Sequence, residues 1–283
     1  MTVTDVNVVK SAIFERPDDA NKGTLGSLLC VCGSYGMAGA AVMSAKGALR
    51  TGIGLAKCAL PRSIYPIVAQ TILESVYYPL SENADGRISK VNVPFLVSES
   101  CKSSATLVGC GLGVCDDTLK IVFSLIENST TPLVLDADAL NCVAKQPEIL
   151  LRKKVPIIIT PHPGEMSRLT GLATPLVNAE RERVALDFAQ KYGVVTVLKG
   201  AGTVIASPNG KVLVNPTGNS GMATGGSGDV LAGMTASILA QGASAFSSAA
   251  AAVYLHGFAG DIAAEKCGKI SMPVSYTHLT LPT

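Results

Sequence analysis

The sequence predicts an α/β fold in which a mostly parallel sheet lies between two layers of helices. Short apolar runs of strand length, such as Leu28–Cys32, alternate along the chain with longer segments of helical period, and this alternation is typical of βαβ units. The runs Pro132–Asp136 and Val155–Thr160 lead directly into polar residues, as strands do at the ligand-binding edge of open α/β sheets. The length of 283 residues allows one large domain of this kind.

Buried strands are predicted in the amino-terminal half where apolar residues run together and a glycine or proline follows. They are Leu28–Cys32, Ile53–Leu60, Ile72–Tyr77 and Ala105–Gly109. Helices are predicted at Met37–Leu49, which is rich in alanine, and at Leu119–Leu125. A turn is expected at Asn83–Gly86, since Asn, Asp and Gly favour turns.

The carboxyl-terminal half continues the same pattern and adds one hairpin. Its predicted strands are Pro132–Asp136, Val155–Thr160 and Val194–Leu198, and its last two predicted helices are Asp229–Ala240 and Ser244–Glu265. The segment Val204–Val214 predicts an antiparallel hairpin, because an Asn-Gly pair between apolar runs is a strong turn signal. The whole pattern indicates one doubly wound sheet with this hairpin near one edge.

One further helix is predicted from its amphipathic period. Val184, Phe188 and Tyr192 recur at four-residue spacing, so they are expected to face the core. Arg181 and Lys191 are assigned to the solvent-exposed face of the same helix.

Residues 1–272 are predicted to form a single domain, since no linker or internal repeat interrupts them. The tail 273–283 has neither a helical period nor helix caps. We therefore expect the tail to be foreign to the fold, for example the scar of a shifted reading frame, and we leave it out of the fold prediction.

The charge balance excludes several classes of partner. The 23 basic and 21 acidic residues give a net charge of +2, which offers no basic surface for nucleic acid or for an anionic membrane. The lack of Trp and the aromatic content of 5% argue against a surface that stacks single-stranded bases. We therefore expect small-molecule partners, with no nucleic acid and no membrane.

The cysteines and the amino terminus indicate the compartment. Eight cysteines occur without a Cys-x-x-Cys pair or a cluster of zinc-ligand spacing, so they are expected to be reduced and mostly buried. The first residues carry charges where a signal peptide needs an apolar core, and no apolar stretch is long enough to span a bilayer. The sequence predicts a soluble, cytoplasmic protein.

A glycine-rich loop carries the strongest functional signal. Four glycines fall between Gly221 and Gly228, and such a backbone can aim successive N–H groups at an anion. The predicted helix that begins near Asp229 adds the positive end of its dipole. A carboxylate beside a phosphate nest suits a base that takes a proton from a hydroxyl nucleophile. The competing interpretation is that Asp229 only caps the helix.

Further polar residues follow the other predicted strands. Asp136 is a candidate for shaping the phosphate site, whereas Asp138 is expected to be a helix N-cap. His162 lies between two prolines, so its ring is expected to be presented to a ligand rather than packed. Glu165 is a candidate to hold Mg²⁺ through water, and the alternative is an exposed acid in the first turn of a helix.

Five ordered segments resemble the ADP/ATP-dependent NAD(P)H-hydrate dehydratases, a carbohydrate-kinase-like family of the ribokinase superfamily. The segments are Gly33–Ala40, Val134–Asn141, Ile159–Glu165, Val197–Thr203 and Asn215–Met234. The resemblance implies a three-layer α/β/α sandwich of the ribokinase-like type. It also implies an activity, the repair of hydrated NADH and NADPH (NADHX and NADPHX). In that reaction ADP or ATP, with Mg²⁺, phosphorylates the added hydroxyl, and phosphate then leaves.

The resemblance also implies roles for individual residues. Asp229 would be the catalytic base, and the N–H groups of Gly226 and Gly228 would hold the charge on the transferring phosphoryl. The residues matched to substrate contacts are Ala40, Gly111, Gly113, His162 and Asp229. Those matched to nucleotide contacts are Lys199, Gly200, Ala201, Gly202, Thr203 and Gly228. Members of the family associate, so a homo-oligomer is expected.

This chain departs from the family pattern at two positions. Cys110 stands where proline is usual, which should change the stiffness of its loop more than the chemistry. Asn21 replaces a usual histidine, and no role is carried over to it.

The residues alone leave two other functions open. A small-molecule kinase of the same superfamily, acting on a vitamin-precursor alcohol, would use the same Gly-Ser-Gly-Asp loop. The segments Thr160–Glu165 and Gly33–Ala40 favour the dehydratase instead. A nucleotide-sensing module without turnover fits less well, because a protein that only binds gains nothing from Asp229 as a base beside a phosphate.

Overall fold

The computed structural model describes residues 2–13, 18–272 and 274. Nine strands in this part of the chain form one sheet. They are β1 Ser27–Val31, β2 Leu55–Pro61, β3 Val76–Leu80, β4 Ala105–Val108, β5 Leu133–Leu135, β6 Ile157–Ile159, β7 Val195–Leu198, β8 Val204–Ala206 and β9 Val212–Val214. Their order across the sheet is β3-β2-β1-β4-β5-β6-β7-β8-β9. Strands β1 to β7 run parallel, and β8 and β9 form an antiparallel hairpin at one edge.

Helices cover both faces of this sheet. The α-helices of the described residues are α1 Val6–Lys10, α2 Ala38–Arg50, α3 Tyr65–Thr71, α4 Val93–Cys101, α5 Asp116–Asn128, α6 Asp138–Val143, α7 Pro163–Thr170, α8 Thr174–Ala179, α9 Arg181–Tyr192, α10 Ser227–Ala240 and α11 Ala245–Cys267. Leu28 and Cys30 of β1 belong to one core with α2, α10 and α11. Leu29 and Val31 belong to a second core with α5, α6 and α9. Because side chains alternate along a strand, both faces of β1 are buried, and the predicted three-layer α/β/α sandwich is confirmed.

Small residues bring α10 against α2 and so fix the position of the loop that precedes α10. A Cβ on Gly47 of α2 would lie 2.7 Å from the carbonyl oxygen of Val230, and a Cβ on Gly233 of α10 would overlap the carbonyl of Ser44. The two helices therefore meet at backbone contact, which larger side chains would prevent. Burial is continuous over the rest of α10, so its amino-terminal turn rests on a closely packed support.

Most predicted elements are confirmed, including the hairpin and both final helices, but the segment before residue 100 differs. Ile72 follows helix α3 instead of starting a strand, and β3 begins at Val76. The sequence pattern also misses α1, α3, α4 and α8. In α3 only Val68 is buried, and β3 is an edge strand with an exposed Val76. Neither element therefore has the continuous apolar pattern from which strands and helices are predicted.

The solvent-exposed face predicted for α9 is wrong at Arg181. Val184, Phe188 and Tyr192 are buried as predicted. The guanidinium of Arg181, however, turns under the loop that follows β7 and donates to the carbonyl oxygen of Leu198 at 2.8 Å. A long arginine stem can pack along apolar surface while its head reaches distant acceptors, so position on a helical wheel does not decide its surroundings.

Two further expectations concern the carboxyl-terminal tail and membrane-spanning segments. The tail 273–283 lies outside the described residues, apart from Val274, so its predicted foreign origin stays a prediction. None of the helices in the described ranges combines the length and the apolar character needed to cross a bilayer.

Candidate active site

The glycine-rich loop ends at Gly226, which caps the amino terminus of α10. Gly226 has a φ of +92°, a left-handed conformation that glycine adopts at little cost. A Cβ at this position would also overlap the Sδ of Met43 on α2. Asp229 lies inside the first turn of α10, so the competing interpretation of Asp229 as the helix cap is wrong. The loop therefore places a carboxylate among the N–H groups of the first helical turn, which have no intrahelical acceptors.

Asp136 lies at the end of β5, under this loop, with only 2% of its surface exposed. Its Oδ1 accepts hydrogen bonds from the Lys199 ammonium at 2.7 Å and from the Thr160 hydroxyl at 2.6 Å. Its Oδ2 accepts from the Cys110 thiol at 3.6 Å. These partners follow strands β7, β6 and β4, which lie beside β5 or one strand further in the sheet. The carboxyl ends of parallel strands therefore converge on Asp136.

The carboxyl of Asp229 has an unusual pKa. The pKa of Asp229 is raised from 3.8 to about 7, first by burial and then by the Asp136 carboxylate, while the Cys110 thiol and the Lys199 ammonium act in the opposite direction. Ligand atoms of Cys110, Asp136 and Asp229 all lie within 4.8 Å of one another. A carboxyl with a pKa near neutrality is matched to accepting and releasing a proton at physiological pH.

Cys110 contributes a protonated thiol to this cluster. Hydrogen bonding with Cys32 and burial raise the pKa of the Cys110 thiol well above its usual range. The thiol therefore keeps its single proton, which it donates to Asp136 or to Asp229. Sequence reasoning assigned this position only an effect on loop stiffness. The signal that could have revealed more is a hydrogen-bond donor in place of proline at the end of a strand.

Lys199 lies between two carboxylates and faces the glycine-rich loop. Burial alone lowers the pKa of Lys199, but Asp136 and Glu165 outweigh it and raise the pKa. The ammonium lies 3.8 Å from Oε2 of Glu165, and a Cβ on Gly228 would lie 3.3 Å from it. The permanent positive charge of Lys199 is therefore next to the first turn of α10, where an anion would bind.

His162 and Glu165 cap helix α7 reciprocally. The Nδ1 of His162 accepts from the backbone N–H of Gly164 at 3.0 Å, and Oε2 of Glu165 accepts from the backbone N–H of His162 at 2.7 Å. The His162 side chain is still 51% exposed, as expected for a ring presented to a ligand. Burial, Lys199 and Arg168 lower its pKa, so the ring is neutral at pH 7.

Glu165 is in the first turn of α7 but only 5% exposed, so the alternative of an exposed first-turn acid is wrong. Burial raises the pKa of Glu165, and Lys199 opposes that shift. The carboxylate is already engaged by the His162 backbone and lies close to an ammonium. It is therefore better placed to hold a metal ion through water than directly.

Ala40, Gly111 and Gly113, which are matched to substrate contacts, follow strands β1 and β4, on the opposite side of β5 from the nucleotide loop that follows β7. His162 follows β6, between β5 and β7. A Cβ on Gly111 would lie 2.7 Å from the Cβ of Ala40 in the first turn of α2. The N–H of Gly113 donates to Oδ2 of Asp138 at 2.8 Å. Ala137, with a φ of 48°, is the N-cap of α6, so the N-cap predicted at Asp138 is wrong. Asp138 instead holds the loop that carries Gly113.

The residues matched to nucleotide contacts form a tight loop beside an open groove. Gly200 and Gly202 both have positive φ, +151° and +65°. The Thr203 hydroxyl donates to the Gly200 carbonyl at 3.0 Å and closes the loop. Beyond the loop lies a groove of about 670 Å³, lined by residues that include Ala201 and Gly202. The volume falls within the range of small-molecule sites.

The sheet and its two helical layers form a ribokinase-like fold, in which a glycine-capped helix carries an acid to the end of the sheet. The family model for NAD(P)H-hydrate dehydratase matches residues 28–282. The chain therefore belongs to the NAD(P)H-hydrate dehydratase family, as its motifs predicted.

Individual relatives agree with this placement. The ADP-dependent (S)-NAD(P)H-hydrate dehydratase of Neisseria meningitidis is 36% identical over 256 residues, which cover 89% of this chain and 82% of that protein. A bifunctional NAD(P)H-hydrate repair enzyme of Moorella thermoacetica is 39% identical over 93% of this chain. The chain spans 50% of the length of that bifunctional relative.

A solved structure shares the complete fold. It is the ADP/ATP-dependent NAD(P)H-hydrate dehydratase of Bacillus subtilis, co-crystallised with ATP and Mg²⁺. Its TM-score with this chain is 0.85 at 29% identity, over 99% of this chain and 96% of that one.

Proposed function

We propose that this chain repairs NADHX and NADPHX by nucleotide-dependent dehydration. One observation carries the proposal furthest: the carboxyl of Asp229, with its pKa raised to about 7, lies in the first turn of a glycine-capped helix. The family to which the chain belongs supports the same substrate class. Water is a poor leaving group and phosphate a good one, so the chemistry needs a phosphoryl-transfer site that faces a dinucleotide pocket.

In the proposed reaction Asp229 takes the proton from the hydroxyl of the hydrated nicotinamide ring. The hydroxyl oxygen bonds to the terminal phosphorus of the nucleotide while the bond from that phosphorus to the bridging oxygen breaks. The N–H groups of Gly226 and Gly228 and the Lys199 ammonium stabilise the charge on the phosphoryl oxygens in transit. Loss of a ring proton and of the phosphate then restores the double bond.

The nucleotide is proposed to be ADP or ATP, held by Lys199, Gly200, Ala201, Gly202 and Thr203 with Gly228. Support comes from the names of two relatives, one described as ADP-dependent and one as co-crystallised with ATP and Mg²⁺. The groove beside Ala201 and Gly202 offers space for the nucleoside. Ala40, Gly111 and Gly113 on the other side of β5, together with His162 after β6, are proposed to contact the hydrated dinucleotide.

The donor set favours Glu165 for Mg²⁺ bound through water. Mg²⁺ prefers oxygen ligands and retains several waters, which suits a buried carboxylate whose Oε2 already accepts a hydrogen bond. The cluster of Cys110, Asp136 and Asp229 fits less well, since a thiol is a poor ligand for this ion and Lys199 already binds Asp136. When bound, the ion would neutralise charge on the phosphates.

The proposed partners are small molecules only, with neither nucleic acid nor membrane. The chain is further proposed to act in the cytoplasm as a homo-oligomer. All eight cysteines are free thiols, which supports a reducing compartment.

The decisive experiment measures recovery of NADH absorbance from NADHX. We expect recovery only when ADP or ATP and Mg²⁺ are present. Asp229→Asn should lower turnover by about 10²-fold or more, with nucleotide affinity nearly unchanged. Full turnover in Asp229→Asn would refute the assigned base, and phosphorylation of a thiazole or pyrimidine alcohol without NADHX turnover would indicate a small-molecule kinase.

A further inference from the structure

Arg181, outside the catalytic cluster, is a partly buried cation that contacts backbone carbonyl groups rather than an acid. It is the first residue of α9, yet its guanidinium lies under the loop that carries the residues matched to nucleotide contacts. Its Nη2 donates to the carbonyl oxygen of Leu198 at 2.8 Å and to that of Gly202 at 3.4 Å. One nitrogen atom therefore joins the end of β7 to the far side of the loop that includes Lys199.

The conformation of the loop and the position of Arg181 depend on each other. Gly200 has a φ of +151°, and a Cβ on it would lie 2.7 Å from Nη1 of Arg181. Any side chain at position 200 would therefore push against the guanidinium. The glycine at this position serves close approach to Arg181 as well as its own backbone conformation.

The buried position of Arg181 does not provide hydrogen-bond partners for all of its own nitrogen atoms. Its Nε is buried and has no hydrogen-bond partner, and burial lowers the pKa of the guanidinium. No salt bridge of Arg181 is found among the described residues, whereas Arg183 of the same helix pairs with Glu180 and Asp187. A buried polar atom left without a partner calls for an explanation. The explanation at hand is the contact with the loop, next to the groove that Arg181 also lines.

We propose that Arg181 is a positioning residue for the nucleotide. It holds the carbonyl groups of Leu198 and Gly202 on one guanidinium nitrogen, so that the loop keeps a conformation ready to bind, with Ala201 and Gly202 on the groove and the Lys199 ammonium beside Gly228. This inference rests on the proposed function. It adds a residue to which neither the motif pattern nor the helical period assigned a role.

The test compares Arg181→Met with Lys191→Met, in which an exposed cation at the other end of the same helix, away from the groove, is removed. In Arg181→Met we expect KM for ADP to rise about tenfold or more, the effect of losing charge-assisted hydrogen bonds. KM for NADHX, and kcat at saturating ADP, should change by less than about threefold. A change of that size is smaller than the loss of a charge-assisted hydrogen bond would cause. Lys191→Met should behave as wild type in all three constants.

Titration calorimetry with ADP alone, without NADHX, gives a second reading. The dissociation constant should rise in Arg181→Met by the same factor as KM. Arg181→Lys keeps the charge and most of the side-chain stem. If Arg181→Met does not fold, Arg181→Lys takes its place, and it should likewise raise KM for ADP with little change in kcat. An equal loss in kcat and in both KM values would indicate a merely structural role and overturn the inference, as would an equal rise of KM for ADP in Lys191→Met.

The wild-type protein separates this inference from the proposed function. If wild type neither binds ADP nor restores NADH from NADHX, the proposed function fails. If wild type does both and Arg181→Met retains its KM for ADP, the inference about Arg181 alone is wrong.

Discussion

The ammonium of Lys199 lies 2.7 Å from Oδ1 of Asp136, and this pair joins the ends of β7 and β5 directly below the glycine-rich loop. Both partners are largely buried, with side-chain exposures of 18% and 2%. A buried ion pair repays the cost of desolvation only with good geometry and further hydrogen bonds, which Thr160 and Cys110 supply here. The pair therefore presents a positive charge to a phosphate, while the Asp136 carboxylate raises the pKa of the neighbouring Asp229.

Asp136→Asn should reveal two roles of this carboxylate, the stability of its pair with Lys199 and its effect on the pKa of Asp229. Loss of one charge leaves the Lys199 ammonium buried with Glu165 alone, and we expect the free energy of unfolding to fall by about 3 kcal/mol. Because the Asp136 carboxylate raises the pKa of Asp229, its removal should also move the acid limb of kcat to lower pH. Urea unfolding and a pH–rate profile measure the two effects.

The double variant Asp136→Leu with Lys199→Met is the matched control. Replacement of both members of a buried ion pair by apolar residues of similar volume is often close to neutral, so most of the lost stability should return. Turnover should not return, because the cation facing the phosphate site is gone. A double variant as unstable as Asp136→Asn would show that the pair itself is not the source of the loss.

Much of the fold is predictable from the sequence because the interior strands are buried on both faces. Leu28–Cys32 is apolar throughout for that reason, and Asn209 with Gly210 specifies the hairpin through its turn. Edge strand β3 and helix α3 have exposed apolar residues and a weak pattern, so their bounds could not be predicted.

Individual residues of the site can be predicted from the sequence, but the contacts between them cannot. The acid Asp229 follows from local composition, whereas Lys199 and Asp136 are 63 residues apart and meet only through the order of the strands. The raised pKa of Asp229 likewise depends on burial and on Asp136, which no local motif contains. Arg181 was assigned to solvent because a helical period locates the base of a long side chain and not its head.

The raised pKa of Asp229, which suits this carboxyl to accepting a proton in catalysis, should also lower the stability of the folded protein as pH rises. In the unfolded chain the carboxyl ionises near its ordinary value of 3.8, whereas in the folded protein it ionises at about 7. Between these values the folded protein binds more protons, so its stability falls as pH rises. Asp229→Asn avoids this cost, and its free energy of unfolding at about pH 8 should exceed that of wild type by about 1 to 3 kcal/mol.

Unfolding in urea at a series of pH values measures this difference. The advantage of Asp229→Asn should fade below about pH 4, where both states of the wild type are protonated. Asp116→Asn is the control, since Asp116 is an exposed acid in the first turn of α5. An advantage of Asp229→Asn that is independent of pH would mean that the carboxyl ionises normally in the folded protein.

Cys110 should tune the pH range of catalysis. Its thiol hydrogen bond lowers the pKa of Asp229, so Cys110→Ala should raise that pKa and move the acid limb of kcat to higher pH, by about half a unit to one unit. Cys110→Ser keeps a hydrogen-bond donor and should leave the limb nearer its wild-type position. The pH–rate profiles of the three proteins decide the matter, and identical limbs would show that the thiol does not act on Asp229.

Gly226→Ala tests whether the conformation of the loop is needed for turnover. Alanine would be strained at a φ of +92°, and its Cβ would overlap the Sδ of Met43. We expect the free energy of unfolding to fall by about 1 to 3 kcal/mol and turnover to fall about 10²-fold or more, the loss typical of one misplaced backbone donor. Thermal unfolding and steady-state kinetics measure both quantities.

Two further variants show whether the loss of turnover in Gly226→Ala comes from the strained backbone or from the overlap with Met43. Gly225→Ala is the matched control, because a Cβ there meets no atom within 4 Å and Gly225 has no positive φ; it should change stability by less than about 0.5 kcal/mol. Met43→Ala combined with Gly226→Ala removes the overlap but leaves the strain in φ. Turnover should stay low in this double variant, since the N–H groups at the start of α10 remain misdirected. Recovery of full turnover there would show that the site needs only space beside Met43, and that the left-handed turn before Asp229 has no part in holding the phosphate.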